Sequence, residues 1–122
     1  MFVLSKEPFP NMSAADIKVY FADKHTDADL ADAYAAAHNK FWWVVDNVYD
    51  HKEGTPEHKI ACAIAGEWRS LMDVYREKIF EILSSEGVVI PKTEQVEVLK
   101  PFMARFGYID GNGWWIKQET AE

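Results

Sequence analysis

The sequence predicts a mainly α-helical domain: a helical hairpin or bundle of about four helices, closed by a small C-terminal β-hairpin. Three observations carry that expectation. Apolar residues recur at helical spacing through two long segments, residues 28–50 and 56–85. Helix-start residues stand directly before each periodic segment. Near the end, Asp110-Gly111-Asn112-Gly113 separates Tyr108-Ile109 from Trp114-Trp115-Ile116, as a tight turn separates two strands.

Residues 1–12 carry Pro8 and Pro10 and read as an extended lead-in. Ser13-Ala14-Ala15-Asp16 then has the form of a helix start, with Ser13 as cap and an acid in the first turn. A short helix should follow to about residue 25, with Ile17, Tyr20 and Phe21 on one side. Thr26-Asp27 is a second start. From Ala28 to Asp50 the set Leu30, Tyr34, Ala37, Phe41, Val44, Val45 and Val48 forms one helical face. About 23 residues at 1.5 Å rise make this helix roughly 35 Å long.

His51 to Gly54 closes the second helix, and Thr55-Pro56-Glu57 opens the third. Thr55 can cap, and Pro56 sits where its missing N–H has no partner to lose. Ile60, Ile64, Trp68, Leu71, Tyr75, Ile79 and Ile82 carry the period to Ser85, and Gly87 stops it. Gly66 inside this helix costs about 1 kcal/mol against alanine, which a close helix crossing would explain. After the extended Val88 to Pro91, a fourth helix is expected over Thr93 to Phe106. Pro101 either kinks it or starts a new one. The β-hairpin occupies about 107–117. Strand alternation puts Trp114 and Ile116 on one face and Trp115 on the other. One tryptophan should anchor on the helices and the other remain for a partner.

At 122 residues the chain is one domain, large enough for a core without staples. The single cysteine, Cys62, excludes an internal disulfide. The start lacks the basic and apolar regions of a secretory signal, and no stretch approaches the ~18 apolar residues of a membrane span. A soluble cytoplasmic protein is the expectation. The net charge of −7 disfavours polyanions. Acid gathers early: Asp23, Asp27, Asp29, Asp32, Asp46 and Asp50 face only Lys24 and Lys40.

Chemistry finds little support. Asp50, His51, Glu53, Glu57 and His58 crowd one interhelical loop, but in no metal-ligand spacing. Cys62 lies mid-helix among alanines, where it reads as a small apolar filler rather than a nucleophile. His38, between Tyr34 and Trp42 at four-residue steps, reads as a packed boundary imidazole. Gly107, Gly111 and Gly113 follow a helix and open none, so they make no phosphate cradle. No cofactor and no metal are expected.

Association remains. A helical wheel puts Trp43 beside Asp32, Asn39, Asp46 and Asp50, and Phe80 among Arg69, Asp73 and Arg76. Large rings on polar faces have the composition of interface hot spots. The expectation is therefore a non-enzymatic, macromolecule-binding homodimer. Its partner surface is formed by Trp43, Phe80, Tyr108, Trp114 and Trp115 with Asp46 and Asp50. A winged-helix DNA-binding regulator is the alternative, and a small-ligand binder with a Trp-lined pocket is the third reading.

Overall fold

A computed structural model describes residues 13–24, 26–48, 52–93, 95–110 and 115–117, so the expected lead-in over 1–12 lies outside the described residues. Four helices and one two-stranded sheet follow in order: α1 (Ala14–Tyr20), α2 (Asp27–Val48), α3 (Pro56–Ser85), α4 (Val96–Ala104), β1 (Tyr108–Asp110) and β2 (Trp115–Lys117).

Local chemistry sets most of the boundaries. Asp16 N–H donates to Ser13 Oγ at 3.1 Å, and Ser13 N–H donates back to Asp16 Oδ2 at 2.9 Å. The start of α2 repeats the device: Asp29 N–H donates to Thr26 Oγ1 at 3.0 Å and Thr26 N–H to Asp29 Oδ2 at 3.3 Å. Each reciprocal pair satisfies two backbone donors that a helix start leaves without partners. α1 stops at Tyr20, short of the expected residue 25, because Ala22 and Lys24 bond back three residues and wind the chain out of the helix. Thr55 accepts from His58 N–H at 3.3 Å and donates to Lys52 C=O at 2.7 Å, with Gly54 at φ 88° turning the chain into α3. Gly87, also at φ 88°, ends α3 with a bond from Val88 N–H to Leu83 C=O at 2.9 Å.

α4 is shorter than Thr93 to Phe106 and runs through Pro101 without a second start. Pro101 is on the exposed side, where water can solvate the carbonyl it leaves unbonded, while Leu99, Phe102 and Met103 hold the opposite side in the core. The strands pair antiparallel with Tyr108 opposite Lys117, Ile109 opposite Ile116 and Asp110 opposite Trp115.

α2 and α3 pack along each other as the base of the fold. α1 rests on both, α4 packs on α3 and β1, and β2 lies on α2. The deepest large side chains are Trp68, Phe102, Ile17, Ile79, Leu83, Leu99 and Met103. α2 is buried on several sides at once: Ala31, Ala33, Ala35, Ala36 and Ala37 are all in the core, and their size lets neighbouring elements approach closely. Lys40 is buried as well, its ammonium 5.0 Å from the Trp43 ring centroid and 6.0 Å from that of Trp68. A lysine fits there by packing its methylene stem and setting its charge against aromatic faces.

Two expectations about α3 are corrected. Phe80, read as a ring on a polar face, is buried, because it shares one core with Leu99, Phe102 and Met103 of α4. α3 is continuous through Gly66, but no close crossing explains the glycine: a Cβ built there meets nothing within 4 Å. The glycine therefore carries only its backbone-entropy cost. Gly66→Ala should stabilise the fold by about 0.5–1 kcal/mol. Urea denaturation measures this, and a loss of stability would show that the glycine is needed.

Candidate functional site

The C-terminal hairpin is fastened to α2 at two points. Asp32 and Asn39 stand seven residues apart, two helical turns, and so share a face. At Asn39 the side-chain amide pairs with the backbone of Trp115 in both directions. Asn39 Nδ2 donates to Trp115 C=O at 2.8 Å, and Trp115 N–H donates to Asn39 Oδ1 at 2.9 Å. The amide acts as one peptide group of a missing third strand and covers an edge that would otherwise be open. At Asp32, Tyr108 O–H donates to Oδ1 at 2.6 Å, and Lys117 Nζ approaches the same oxygen at 3.3 Å. Burial first, then the hydrogen bond and the charge of Asp32, push the Tyr108 phenol well above its ordinary value of 10.0.

Trp115 is therefore the anchor. It is 4 % exposed, its ring centroid 6.2 Å from Tyr34 and 6.2 Å from His38. Tyr108 is buried too. Neither ring is presented to a partner, since both are used to hold the hairpin on α2. Trp114 and Asp50, both expected on the partner surface, lie outside the described residues. His38 is half-buried between Tyr34 and Trp42, with centroids at 5.6 and 6.4 Å, as its spacing predicts.

The aromatic row Tyr34, His38, Trp42 leads from the hairpin towards the α2–α3 connection, and there the cover ends. Trp43 is only partly buried, resting against the core beside Lys40. Trp42 is the exposed member of the pair, at 43 %. The sequence reading chose Trp43 because of its polar neighbours on a wheel. The Lys40 stem and the core edge take that ring, while Trp42 stays exposed. Past Lys40 in α2 and before Trp68 in α3, only Val44 and Ala65 are buried among the described residues. Ile60 and Ile64, one turn apart on α3, are 61 % and 40 % exposed. This end of the helical pair is a two-helix arm with few buried side chains among the described residues. Asp46, Glu53 and Glu57 are exposed on it, with Lys52 and Lys59 as the cations.

Chemical machinery is sparse on this framework. Among the described residues no group of three His, Cys, Asp or Glu is placed to hold a metal. Cys62 is exposed rather than a buried filler, and its Sγ lies 3.8 Å from His58 Nδ1. No helix among the described residues is long and apolar enough to cross a membrane. Two clefts flank α1. One of about 650 Å³ lies against α2 and α3, and one of about 530 Å³ opens towards the hairpin, between Tyr20, Asp32 and Trp115. No protein-family model, no curated protein and no solved structure matches this chain.

Two outcomes are expected for the fastening. Trp115→Ala should cost about 3–5 kcal/mol and Asn39→Ala about 1–3 kcal/mol in urea denaturation. A loss under about 1 kcal/mol for Trp115→Ala would make the hairpin a loose appendage. The second outcome concerns pH. Folding raises the Tyr108 value, so its contribution is whole below the ordinary 10.0 and is lost as pH rises through the folded value. In an ultraviolet alkaline titration, Tyr108→Phe should remove a phenol that ionises after exposed tyrosine. If it removes an early one, the Asp32 contact does not form.

Proposed function

We propose that this chain is a non-enzymatic binding module that receives a protein partner on the two-helix arm. The observation that supports the reading most strongly is the uncovered arm itself. Trp42, Ile60 and Ile64 stay exposed on a stretch where, past Lys40 and before Trp68, only Val44 and Ala65 are buried among the described residues. Large apolar side chains left exposed on one arm of a helical pair favour association. The partner that fits is an amphipathic helix with basic flanks. Its apolar stripe would complete the helix packing, and its cations would meet Asp46, Glu53 and Glu57. Trp42 would serve as the buried anchor, with the acids at the rim governing approach rather than affinity.

Direct DNA binding is the weaker reading on these contacts. Lys100, Arg105 and Lys117, the cations nearest the hairpin, lie 3.0, 2.6 and 3.3 Å from Glu97, Glu86 and Asp32. Cations already facing carboxylates release few counterions from a phosphate backbone.

The test is affinity capture from the native host, using the wild type and a triple variant, Trp42→Gln, Ile60→Gln and Ile64→Gln. All three positions are exposed, so the variant should keep its circular dichroism. Loss of one defined protein from the captured set supports the proposal; an unchanged set overturns it. Light scattering on the protein alone reads the homodimer form of the same idea: a wild-type dimer that becomes a monomer in the triple variant makes the partner a second copy.

A further inference from the structure

The cleft between α1 and α3 has a polarity of its own. Its floor is apolar: Phe21, Leu30, Ala33, Leu71, Val74 and Tyr75. Val74 is 50 % exposed although it sits in a concave surface. The volume of about 650 Å³ falls within the ~300–1,000 Å³ of small-molecule sites, which are mostly apolar with a few placed polar groups.

The charges are not spread evenly along it. Lys24 belongs to the turn that joins α1 to α2, and Lys78 stands nearly one helical turn beyond Tyr75, whose ring lies 6.3 Å from Phe21 of that turn. Lys18, in the last turn of α1, lines the same cleft. The acids of the lining are differently placed. Asp29 is turned to its cap bond with Thr26 N–H, and Glu67 lies eleven residues before Lys78 on α3, about 16 Å away. Lys24 also touches the Tyr20 ring at 4.5 Å and Asp23 at 3.7 Å, so Lys18 and Lys78 are the cations with least competition. In a chain of net charge −7, a cationic end on an apolar trough is a local inversion of sign.

We propose that this cleft binds a monomeric anionic amphiphile of the long-chain carboxylate class. The carboxylate lies at the Lys18–Lys78 end, and the alkyl chain lies over Val74 and Leu71 towards Glu67. The apolar floor supplies most of the affinity, because each methylene leaving water contributes about as much as a weak hydrogen bond. The lysines select the sign of the head group. Glu67 at the far end disfavours a second anionic head. This site is separate from the arm and stands whether or not the arm receives a protein.

Isothermal calorimetry with dodecanoate below its micelle concentration tests the site, with proton–nitrogen correlation spectra to locate it. The probes for comparison are acetate, dodecyltrimethylammonium and vesicles of anionic phospholipid. The expected result is saturable one-to-one binding of dodecanoate, with shifts centred on the Val74 amide. Binding of acetate, of the cationic amphiphile or of vesicles should be weaker by about tenfold or more. Lys78→Glu and Val74→Asp are both on exposed positions and should each weaken dodecanoate by about tenfold with the fold retained. Any one of four results overturns the proposal: no saturable binding, equal binding of the cationic amphiphile, vesicle binding without dodecanoate binding, or full affinity in folded Lys78→Glu.

Discussion

The amide of Asn39 holds the C-terminal hairpin to the helices, and the arrangement of the outer elements depends on it. A two-stranded sheet of three residues per strand has too few backbone bonds to persist alone. Its bonds to Asn39 contribute about 1 kcal/mol each, whereas the buried Trp115 ring contributes several. The ring supplies the larger energy and the amide supplies the register. With Trp115 N–H and C=O both fixed, the ring can enter only beside Tyr34 and His38. Tyr108 then reaches Asp32, and α4, joined to β1 through Gly107, packs on α3. The bidentate Arg105–Glu86 pair at 3.0 and 2.6 Å ties the C-terminal end of α4 to the end of α3, but on an exposed surface where ion pairs count for little.

This fastening places the core at one half of a long helical pair. Three outer elements cover the N-terminal half of α2 and the C-terminal half of α3, and Lys40 between Trp43 and Trp68 marks where that cover ends. Most of the buried side chains lie on the covered side, while the arm retains Trp42, Ile60 and Ile64 at its surface. The stability of the molecule must therefore be uneven, since local opening follows the density of buried contacts. A weakly held segment with exposed aromatic and branched side chains suits a surface that is completed by a partner.

Much of this was legible where the cause is local. Thr55-Pro56, Gly87 and Ser13 act within a few residues, so the starts of α1 and α3 and the end of α3 follow from them directly. The turn residues between two apolar pairs likewise mark the hairpin. What the sequence concealed depends on contacts between distant elements. Buried alanines such as Ala31, Ala35 and Ala36 weigh little on a helical wheel, so the burial of α2 on several sides left no pattern to read. Phe80 is polar by its neighbours on α3, yet it lies in the core that the elements share. Trp42 and Trp43 differ by one position, and which is exposed is decided by Lys40, Trp68 and the reach of the hairpin. The arm could have been suspected from the row Tyr34, His38, Trp42, which outruns the length of a three-residue strand.

Native-state hydrogen exchange on the free protein measures the central claim most directly, which is that one half of the helical pair buries far fewer side chains than the other. Amides of residues 41–46 and 57–64 should open locally and exchange well before those of residues 33–40 and 68–83, which should exchange only with global unfolding. Equal protection along both helices would contradict the account, because it would mean that the arm is as firmly held as the core.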